Sequence, residues 1–315
     1  MPQSVLTLLL VLLIVGGGLI VLVAWLIAGA LLHPPRMTDA KAVYVLKRLS
    51  PEDVGLEFTP VEFTVVDKSR ITEPPLKFSS WWMPHRDADG RCVILLHGYA
   101  DAKVGALAWA PMWHSLRFNI LALDLRAHGE SQGECTTAGV FERFDVSQVI
   151  DQLRAMRSND TAKVVLFGIS LGGAVALATA DLRDDIQAIV LESPFSDYAH
   201  AATSHAARLG APTRIVMPLA LTFARWRCGA DFDSVKPIDL IRKVRCPIMA
   251  IHAGADAFVT PADAAEIETA LRARQGVSGY LCVEGVGHLM SIVAQPREYQ
   301  ERVADFLNRA INHDP

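Results

Sequence analysis

The residue with the clearest potential for chemistry is a serine that lies between two glycines. Gly168, Ser170 and Gly172 form a G-x-S-x-G pattern. The pattern follows an apolar run typical of a strand and precedes small residues typical of a helix, which is the strand–turn–helix context such a motif needs. In that turn the serine hydroxyl is exposed, and the first amides of the helix point toward it and can bind negative charge. The pattern predicts that Ser170 is a nucleophile.

A serine hydroxyl is a poor nucleophile until a neighbouring base takes its proton, and the base needs an acid that fixes its tautomer. In this architecture the acid and then the histidine follow the serine in the chain, each after a later strand. Asp256 follows the apolar run 248–251 in a glycine-containing turn, and His288 lies on the loop after the run 280–283. The order predicts the triad Ser170, Asp256 and His288.

Other acids and bases in the sequence are candidates for the same roles. An aspartate in a glycine-rich turn is usually an ordinary turn residue, so the assignment of the acid depends on the order of the three residues. Glu192 also follows a strand-like run and is the rival acid, whereas the pattern places Asp263 inside a helix. His97 and His128 lie near strand ends but precede Ser170, which the expected order disfavours.

Acyl transfer also needs two backbone donors for the developing oxyanion. We expect one from the amide of Leu171, next to the nucleophile, and the other from the amide of Tyr99, in the loop 97–101 after an apolar run. The Tyr99 ring would either line the pocket or serve in ordinary packing. Chemistry of this kind requires no metal and no organic cofactor.

Alternating strands and helices must position these residues. Continuous apolar runs, typical of strands buried on both faces of a parallel sheet, recur at 92–96, 120–123, 164–167, 186–191, 248–251 and 280–283. Helical segments are predicted at about 104–116, 143–157, 171–183, 261–274 and 297–312. Two segments before them, 60–67 and 76–83, predict an antiparallel start to the sheet. The chain is therefore predicted to have an α/β fold with a mostly parallel central sheet.

One interval, about 195–243, is too long for a simple crossover between strands. It contains two segments that are predicted to be short helices, 198–209 and 215–226. An insertion at this point would lie over the carboxyl ends of the strands, where ligands bind in such folds. We interpret it as a small helical cap.

The amino-terminal segment 5–32 carries no charged residue. It exceeds the roughly 20 residues that a helix needs to cross a bilayer. A cleavable signal peptide is the alternative, because Ala28, Gly29 and Ala30 resemble a cleavage site. No lysine or arginine precedes the apolar run, however, and the run is long for a signal peptide. We expect a membrane anchor at 1–36 and one catalytic domain at 37–315.

The charges that flank the anchor predict its orientation. Four basic residues follow it closely: Arg36, Lys41, Lys47 and Arg48. The positive-inside rule then places the catalytic domain of a single-pass protein in the cytoplasm. The five cysteines agree with a reducing compartment, because their number is odd and no C-x-x-C spacing occurs. A formal net charge of -4, from 30 basic and 34 acidic residues, gives no reason to expect a nucleic-acid partner.

From about residue 61 to the carboxyl terminus the chain resembles the α/β-hydrolase superfamily, most of all small-cap members such as serine aminopeptidase-type and monoglyceride-lipase-like hydrolases. The resemblance rests on the elbow around Ser170, on Gly254-Ala255-Asp256 and Gly287-His288, and on Leu96-His97-Gly98, Glu192-Ser193-Pro194 and a D-x-R-x-H-G-x-S segment from Asp124 to Ser131. It implies that this last segment is largely structural. Ala127 stands where the family usually has glycine.

A membrane-anchored serine hydrolase that cleaves esters or thioesters of an acyl or lipid-like substrate is the favoured function. Peptide or aminoacyl-amide hydrolysis is the alternative, and a carboxylate placed to hold a substrate amine would favour it. A catalytically silent binding protein is the third hypothesis, and the presence of all three triad residues argues against it.

Overall fold

A computed structural model describes residues 3–69, 74–208, 210 and 213–312. An eight-stranded sheet forms its centre. The strands are β1 (Thr59–Val65), β2 (Leu76–Met83), β3 (Arg91–Leu96), β4 (Asn119–Leu123), β5 (Lys163–Ile169), β6 (Ile186–Glu192), β7 (Ile248–Ala253) and β8 (Ser278–Val283). Every residue of β4 and β7 is buried, as expected for strands covered on both faces.

The order of the strands across the sheet is β1-β2-β4-β3-β5-β6-β7-β8. β2 is antiparallel to both β1 and β4, and all the other neighbouring pairs are parallel. The carboxyl ends of β3 and of β5 to β8 therefore meet at one edge of the sheet, which we call the carboxyl edge. The predicted α/β-hydrolase fold, with its antiparallel start, is confirmed.

Twelve α-helices are found in the described part of the chain, together with 3-10 turns at Pro51–Val54, Ser158–Asp160 and Phe232–Val235. The helices are α1 (Gln3–Leu32), α2 (Asp39–Leu46), α3 (Lys103–Ala106), α4 (Ala110–Ser115), α5 (Glu142–Met156), α6 (Leu171–Asp181), α7 (Tyr198–Arg208), α8 (Thr213–Cys228), α9 (Pro237–Lys243), α10 (Pro261–Ala273), α11 (Ser291–Ala294) and α12 (Pro296–Asn312).

Helices cover both faces of the sheet. Buried residues of α5, α6, α9 and α10 form one core with one face, and buried residues of α3, α4 and α12 form a second core with the other. The helix predicted at 104–116 is in fact two short helices, α3 and α4. Pro111 explains the break, because proline has no amide hydrogen to continue a helix and is tolerated only in a first turn, its position in α4.

Two features lie outside the sheet and the helices that cover it. The segment between β6 and β7 contributes α7 and α8, while α9, at its end, packs against α6 and α10 beside the sheet. The amino-terminal α1 has 30 residues and is long and apolar enough to cross a membrane, so it is a candidate membrane span. Its side chains are exposed as far as Leu19, and beyond that point one face of α1 packs on α8.

Candidate active site

Ser170 lies in the sharp turn between β5 and α6, at the carboxyl edge. Its backbone has φ 50° and ψ -110°, a conformation that side-chain-bearing residues rarely adopt. Such strain is held only when the surroundings impose it, and it is common at functional sites. Here the close approach of neighbouring backbones imposes it, because a Cβ on Gly172 would overlap the carbonyl oxygen of Leu96 and one on Gly168 would overlap that of Gly172.

Backbone hydrogen bonds hold the elbow in place. The amide of Ser170 donates to the carbonyl oxygen of Glu192 at 2.8 Å, and the amide of Gly173 donates to the carbonyl oxygen of Ser170 at 2.9 Å. The Ser170 side chain is partly exposed, and its hydroxyl has no hydrogen-bond partner among the described residues. The backbone is therefore fixed while the hydroxyl stays available to a base and a substrate.

Asp256 and His288 are brought together although 32 residues separate them. Nδ1 of His288 lies 2.6 Å from Oδ2 of Asp256. The other carboxylate oxygen of Asp256 accepts hydrogen bonds from the amides of Phe258 at 2.7 Å and Val259 at 3.0 Å. The carboxylate is almost fully buried, with a relative exposure of 2%, whereas the imidazole is partly exposed at 18%. The acid is thus fixed inside the protein and the ring reaches toward solvent.

The surroundings keep the Asp256 carboxylate ionised. Burial alone would raise its pKa, but the hydrogen bond and charge interaction with His288, together with the amides of Val259 and Phe258, outweigh burial and leave the pKa below its ordinary value. An ionised acceptor at Nδ1 favours the tautomer in which Nδ1 carries the hydrogen. Nε2 of His288 is then free to accept a proton, as a general base requires.

The rival acid has a different environment. Glu192 is fully buried, and the hydroxyl of Tyr299 donates to its Oε2 at 2.7 Å. Burial raises the pKa of Glu192 to about 8, so this group is largely neutral at pH 7. Asp263 caps the amino terminus of α10 by accepting hydrogen bonds from the amide and hydroxyl of Thr260. The structure pairs neither of these acids with His288.

The two upstream histidines are buried in the scaffold. Nε2 of His97 accepts a hydrogen bond from the amide of Leu125 at 3.0 Å, and Nδ1 of His128 lies 2.8 Å from the carbonyl oxygen of Arg126. Burial lowers the pKa of both imidazoles. Their edge-on contact, with ring centroids 4.9 Å apart, belongs to the support beneath the carboxyl edge.

The D-x-R-x-H-G-x-S segment holds neighbouring loops together through buried ion pairs. Oδ2 of Asp124 lies 2.7 Å from Nζ of Lys103. Nε and Nη2 of Arg126 donate to the two carboxylate oxygens of Asp145 at 2.5 and 2.8 Å, and Nη2 also reaches Asp67 at 3.0 Å. Each charge has a partner, which is the condition for burying it. Ala127, at the position where glycine is usual, has a positive φ of 61°.

The two amides expected to bind an oxyanion belong to Leu171, which follows Ser170, and to Tyr99, in the loop after β3. Leu171 is the first residue of α6. Gly98 lies against the elbow, since a Cβ added to Gly98 would be 3.7 Å from Cβ of Ser170. Tyr99 is the residue that follows Gly98 in the chain. Within the described residues neither amide donates to a protein acceptor. Amides without a protein acceptor are what an oxyanion hole requires.

The Tyr99 side chain has a role that the sequence did not reveal. Its hydroxyl donates a hydrogen bond to the carbonyl oxygen of Ala30, in the last turn of α1. The amide of Thr136 donates to the carbonyl oxygen of Leu32 at 2.9 Å, and Arg36 donates to the carbonyl oxygens of His128, Gly129, Ser131 and Gly133. The end of α1 is therefore joined to loops at the carboxyl edge.

A mostly parallel sheet flanked by helices, with a strained serine at a strand–helix turn and a histidine–carboxylate pair at the same edge, defines an α/β hydrolase. A family model described as "Alpha/beta hydrolase family" matches residues 93–304. The chain belongs to the alpha/beta hydrolase family.

Relatives agree with this assignment. The uncharacterized protein YqkD of Bacillus subtilis is 26% identical over 219 residues, which are 69% of this chain and 70% of that protein. The lysophosphatidylserine lipase ABHD12 of Macaca fascicularis is 27% identical over 195 residues, which are 56% of this chain and 45% of that protein. The solved structure of the Pyrococcus furiosus esterase Pf2001 has a TM-score of 0.66 at 23% identity, covering 88% of this chain and 99% of that one. Together these findings support a hydrolase.

Proposed function

We propose that this protein is a serine hydrolase that cleaves carboxylic ester or thioester bonds through Ser170, His288 and Asp256. The observation that carries the proposal is the hydrogen bond of 2.6 Å between His288 and Asp256, on loops that follow β8 and β7 at the same edge as the Ser170 elbow. The esterase and lipase among its structural and sequence relatives support the same class of reaction.

The reaction proceeds through an acyl-enzyme. Nε2 of His288 accepts the proton of Ser170 as Oγ attacks the acyl carbon, and Asp256 stabilises the imidazolium that forms. The amides of Leu171 and Tyr99 bind the oxyanion of the tetrahedral intermediate. His288 then gives its proton to the leaving alcohol or thiol, and a water molecule activated by the same ring releases the acid and restores the serine hydroxyl.

The lining near the elbow favours an acyl group over a charged substrate. Phe195 and Val259 pack with Ala174 of α6, one turn beyond Ser170, and Tyr198 and Ala201 of α7 pack against them. The ring of Phe258 meets the imidazole of His288 edge-on, with centroids 5.1 Å apart. The segment between β6 and β7 thus supplies apolar side chains beside the elbow, as a small cap does.

A substrate panel tests the reaction class. The full-length protein in detergent micelles is assayed with p-nitrophenyl esters of acetate, butyrate, octanoate and laurate and with aminoacyl p-nitroanilides, beside Ser170→Ala. We expect ester hydrolysis that depends on Ser170 and a kcat/KM that rises with chain length. Hydrolysis of the anilides alone would favour the aminopeptidase alternative, and turnover unchanged in Ser170→Ala would rule out the proposed nucleophile.

We also propose that α1 is an uncleaved single-pass anchor and that the catalytic domain is cytoplasmic. Support comes from the burial of Ala28 and Leu32, which belong to the same core as β1 and β3. Cleavage near Ala28–Ala30 would remove part of that core. The cluster of basic residues after α1 supports the orientation. Intact-mass measurement on protein extracted from membranes checks this, since a mass that lacks the first 30 residues would contradict it.

A further inference from the structure

The outer side of α8 carries an unusual set of side chains. Five of its residues are exposed, and four of them form one stripe at helical spacing: Ile215, Pro218, Thr222 and Trp226, with Arg214 beside its start. Relative exposure reaches 61% for Ile215 and 75% for Trp226. The hydroxyl of Thr222 donates to the carbonyl oxygen of Pro218 at 2.8 Å, so the only polar side chain of the stripe is satisfied within the helix. A solvent-facing stripe would normally carry charges.

The inner side of α8 is apolar as well. Val216 and Ala220 are buried against Ala24 of α1, and Met217 packs with Ala202 and Ala206 of α7. Arg225, in the last turn, is a charged exception, and its guanidinium pairs with Asp233. A helix that is otherwise apolar on both sides is either enclosed by protein or in contact with lipid. No described residue covers the outer stripe, so either lipid or another apolar surface would suit it.

The position of α8 beside α1 decides between a lipid surface and another apolar partner. Ala24 packs with Val216 and Ala220, the Trp25 ring lies 5.6 Å from that of Phe223, and Gly29 lies beside the guanidinium of Arg227. The two helices therefore run side by side in the same direction. The first turn of α8 therefore lies nearer the amino terminus of α1 than its last turn does.

The last turn of α8 has the residues of a membrane–water boundary. The rings of Trp25 and Trp226 are 6.1 Å apart, and the guanidinium of Arg227 lies 4.6 Å from the centroid of the Trp25 ring. Tryptophan and arginine concentrate at this depth, because an apolar body and a polar tip suit the headgroup region. Ile215 lies eleven positions before Trp226, which is about 16 Å along the helix axis.

We propose that the outer stripe of α8, formed by Ile215, Pro218, Thr222 and Trp226, is a bilayer-contacting surface that holds the β6–β7 segment in the lipid interface. The proposal rests on α1 being the membrane anchor. Because α7 and α8 are joined to each other and α7 packs beside the Ser170 elbow, this placement would bring the site next to the lipid phase. An acyl substrate could then pass from the bilayer to the site without crossing water.

Photo-crosslinking tests the surface without relying on activity. p-Benzoylphenylalanine replaces one residue at a time in the full-length protein, reconstituted in vesicles of phosphatidylcholine and phosphatidylglycerol. The positions are Ile215 and Trp226 in the stripe, Leu12 in α1, and Met156 as a control, which is 55% exposed at the far end of α5. Mass spectrometry then distinguishes lipid adducts from protein dimers.

We expect lipid adducts at Leu12, Ile215 and Trp226, with yields at least tenfold above that at Met156. Adducts at Leu12 but none at Ile215 or Trp226 would overturn the surface and leave the anchor intact. A protein dimer at Trp226 would also overturn it by identifying a second copy as the occupant. Failure at Leu12 as well would show that the anchor itself is wrong, whatever the result of the ester assays.

A functional readout follows from the same placement. Ile215→Glu and Trp226→Glu put a charge on the stripe but touch neither the triad nor its loops. We expect hydrolysis of a long-chain ester embedded in vesicles to fall at least fivefold, while hydrolysis of soluble p-nitrophenyl acetate stays within twofold of the wild-type rate. Equal rates of the variants and the wild type on the embedded ester would contradict the proposal.

Discussion

The hydroxyl of Tyr99 caps the carbonyl oxygen of Ala30, a residue 69 positions earlier in the chain. In a continuing helix this carbonyl would accept from the amide of residue 34, but residue 34 is a proline and has none. Burial raises the pKa of the Tyr99 phenol to about 12, so the phenol remains a donor at neutral pH. The loop that we assign to the oxyanion hole is thus joined to the end of α1.

Removing this hydroxyl should loosen the loop. For Tyr99→Phe we expect kcat to fall several-fold with KM nearly unchanged, because the Tyr99 amide would be less well positioned for the transition state. The lost hydrogen bond is worth about 1 kcal/mol, which corresponds to a fall in Tm of about 2 °C for a chain of this size. Steady-state kinetics and thermal unfolding in micelles measure both effects.

Tyr44→Phe is the matched control, because the Tyr44 side chain is 86% exposed. That variant should match the wild type in both measurements. Equal kcat for Tyr99→Phe and the wild type would show that the cap does not position the loop.

The two buried acids separate the proposed triad from its rival. Asp256→Asn should lower kcat by about 10⁴-fold, because an amide cannot hold His288 in the productive tautomer. Glu192→Gln keeps an acceptor for the hydroxyl of Tyr299 and should retain kcat within a few-fold. Ester hydrolysis by both purified variants checks this, and the reverse ranking would make Glu192 the acid.

Glu192 should make stability depend on pH. Burial raises its pKa to about 8 in the folded protein, from 4.5 for an exposed glutamate. Unfolding therefore releases its proton between these values, so the stabilisation is fully present below pH 4.5 and is lost as pH rises through 8. Between these two pH values, the free energy of unfolding falls by at most about 1.4 kcal/mol for each unit by which the pH rises.

Thermal unfolding at pH 5.5, 7 and 8.5 measures this slope. Relative to Glu192→Gln, which cannot ionise, the wild-type Tm should fall as the pH rises. Other titrating groups are common to both proteins and cancel in the comparison. Parallel curves for the two proteins would mean that Glu192 is ionised in the folded state.

Two glycines of the elbow differ in whether the structure has room for a Cβ at their positions. A Cβ on Gly172 would overlap the Leu96 carbonyl, whereas the nearest atom to a Cβ on Gly173 is Cδ2 of Leu191 at 3.5 Å. Gly172→Ala should therefore cost on the order of 1–3 kcal/mol or more and displace the nucleophile. Gly173→Ala should fold and turn over normally. Expression yield, Tm and ester hydrolysis compare the two, and similar behaviour would contradict the packing described here.

The sheet was readable from the sequence because its central strands are continuous apolar runs, and each predicted run lies within an observed strand. The triad was predicted from chain order, and the structure places Asp256 beside His288. The packing of α1 was not predicted. A helix that is apolar on every side shows no distinct inner face, so the buried positions Ala24, Ala28 and Leu32 gave no signal in its hydropathy.

Other contacts were unpredictable because they join distant segments through single side chains. Arg36 was assigned only as a flanking positive charge, yet it donates to four carbonyl oxygens of a loop about 95 residues away. Backbone carbonyls are present at every position, so no residue type marks such a partner. The division of 104–116 into α3 and α4 could have been predicted from Pro111.

The nucleophile is the central claim, and covalent labelling tests it most directly. A fluorophosphonate probe is added to membranes that contain the full-length wild-type protein or Ser170→Ala, and the labelled peptide is identified by mass spectrometry. We expect one modified residue, Ser170, in the wild type, no labelling of the variant, and a loss of turnover on the order of a millionfold. Equal labelling of Ser170→Ala and wild type would contradict the assignment of Ser170 as the nucleophile.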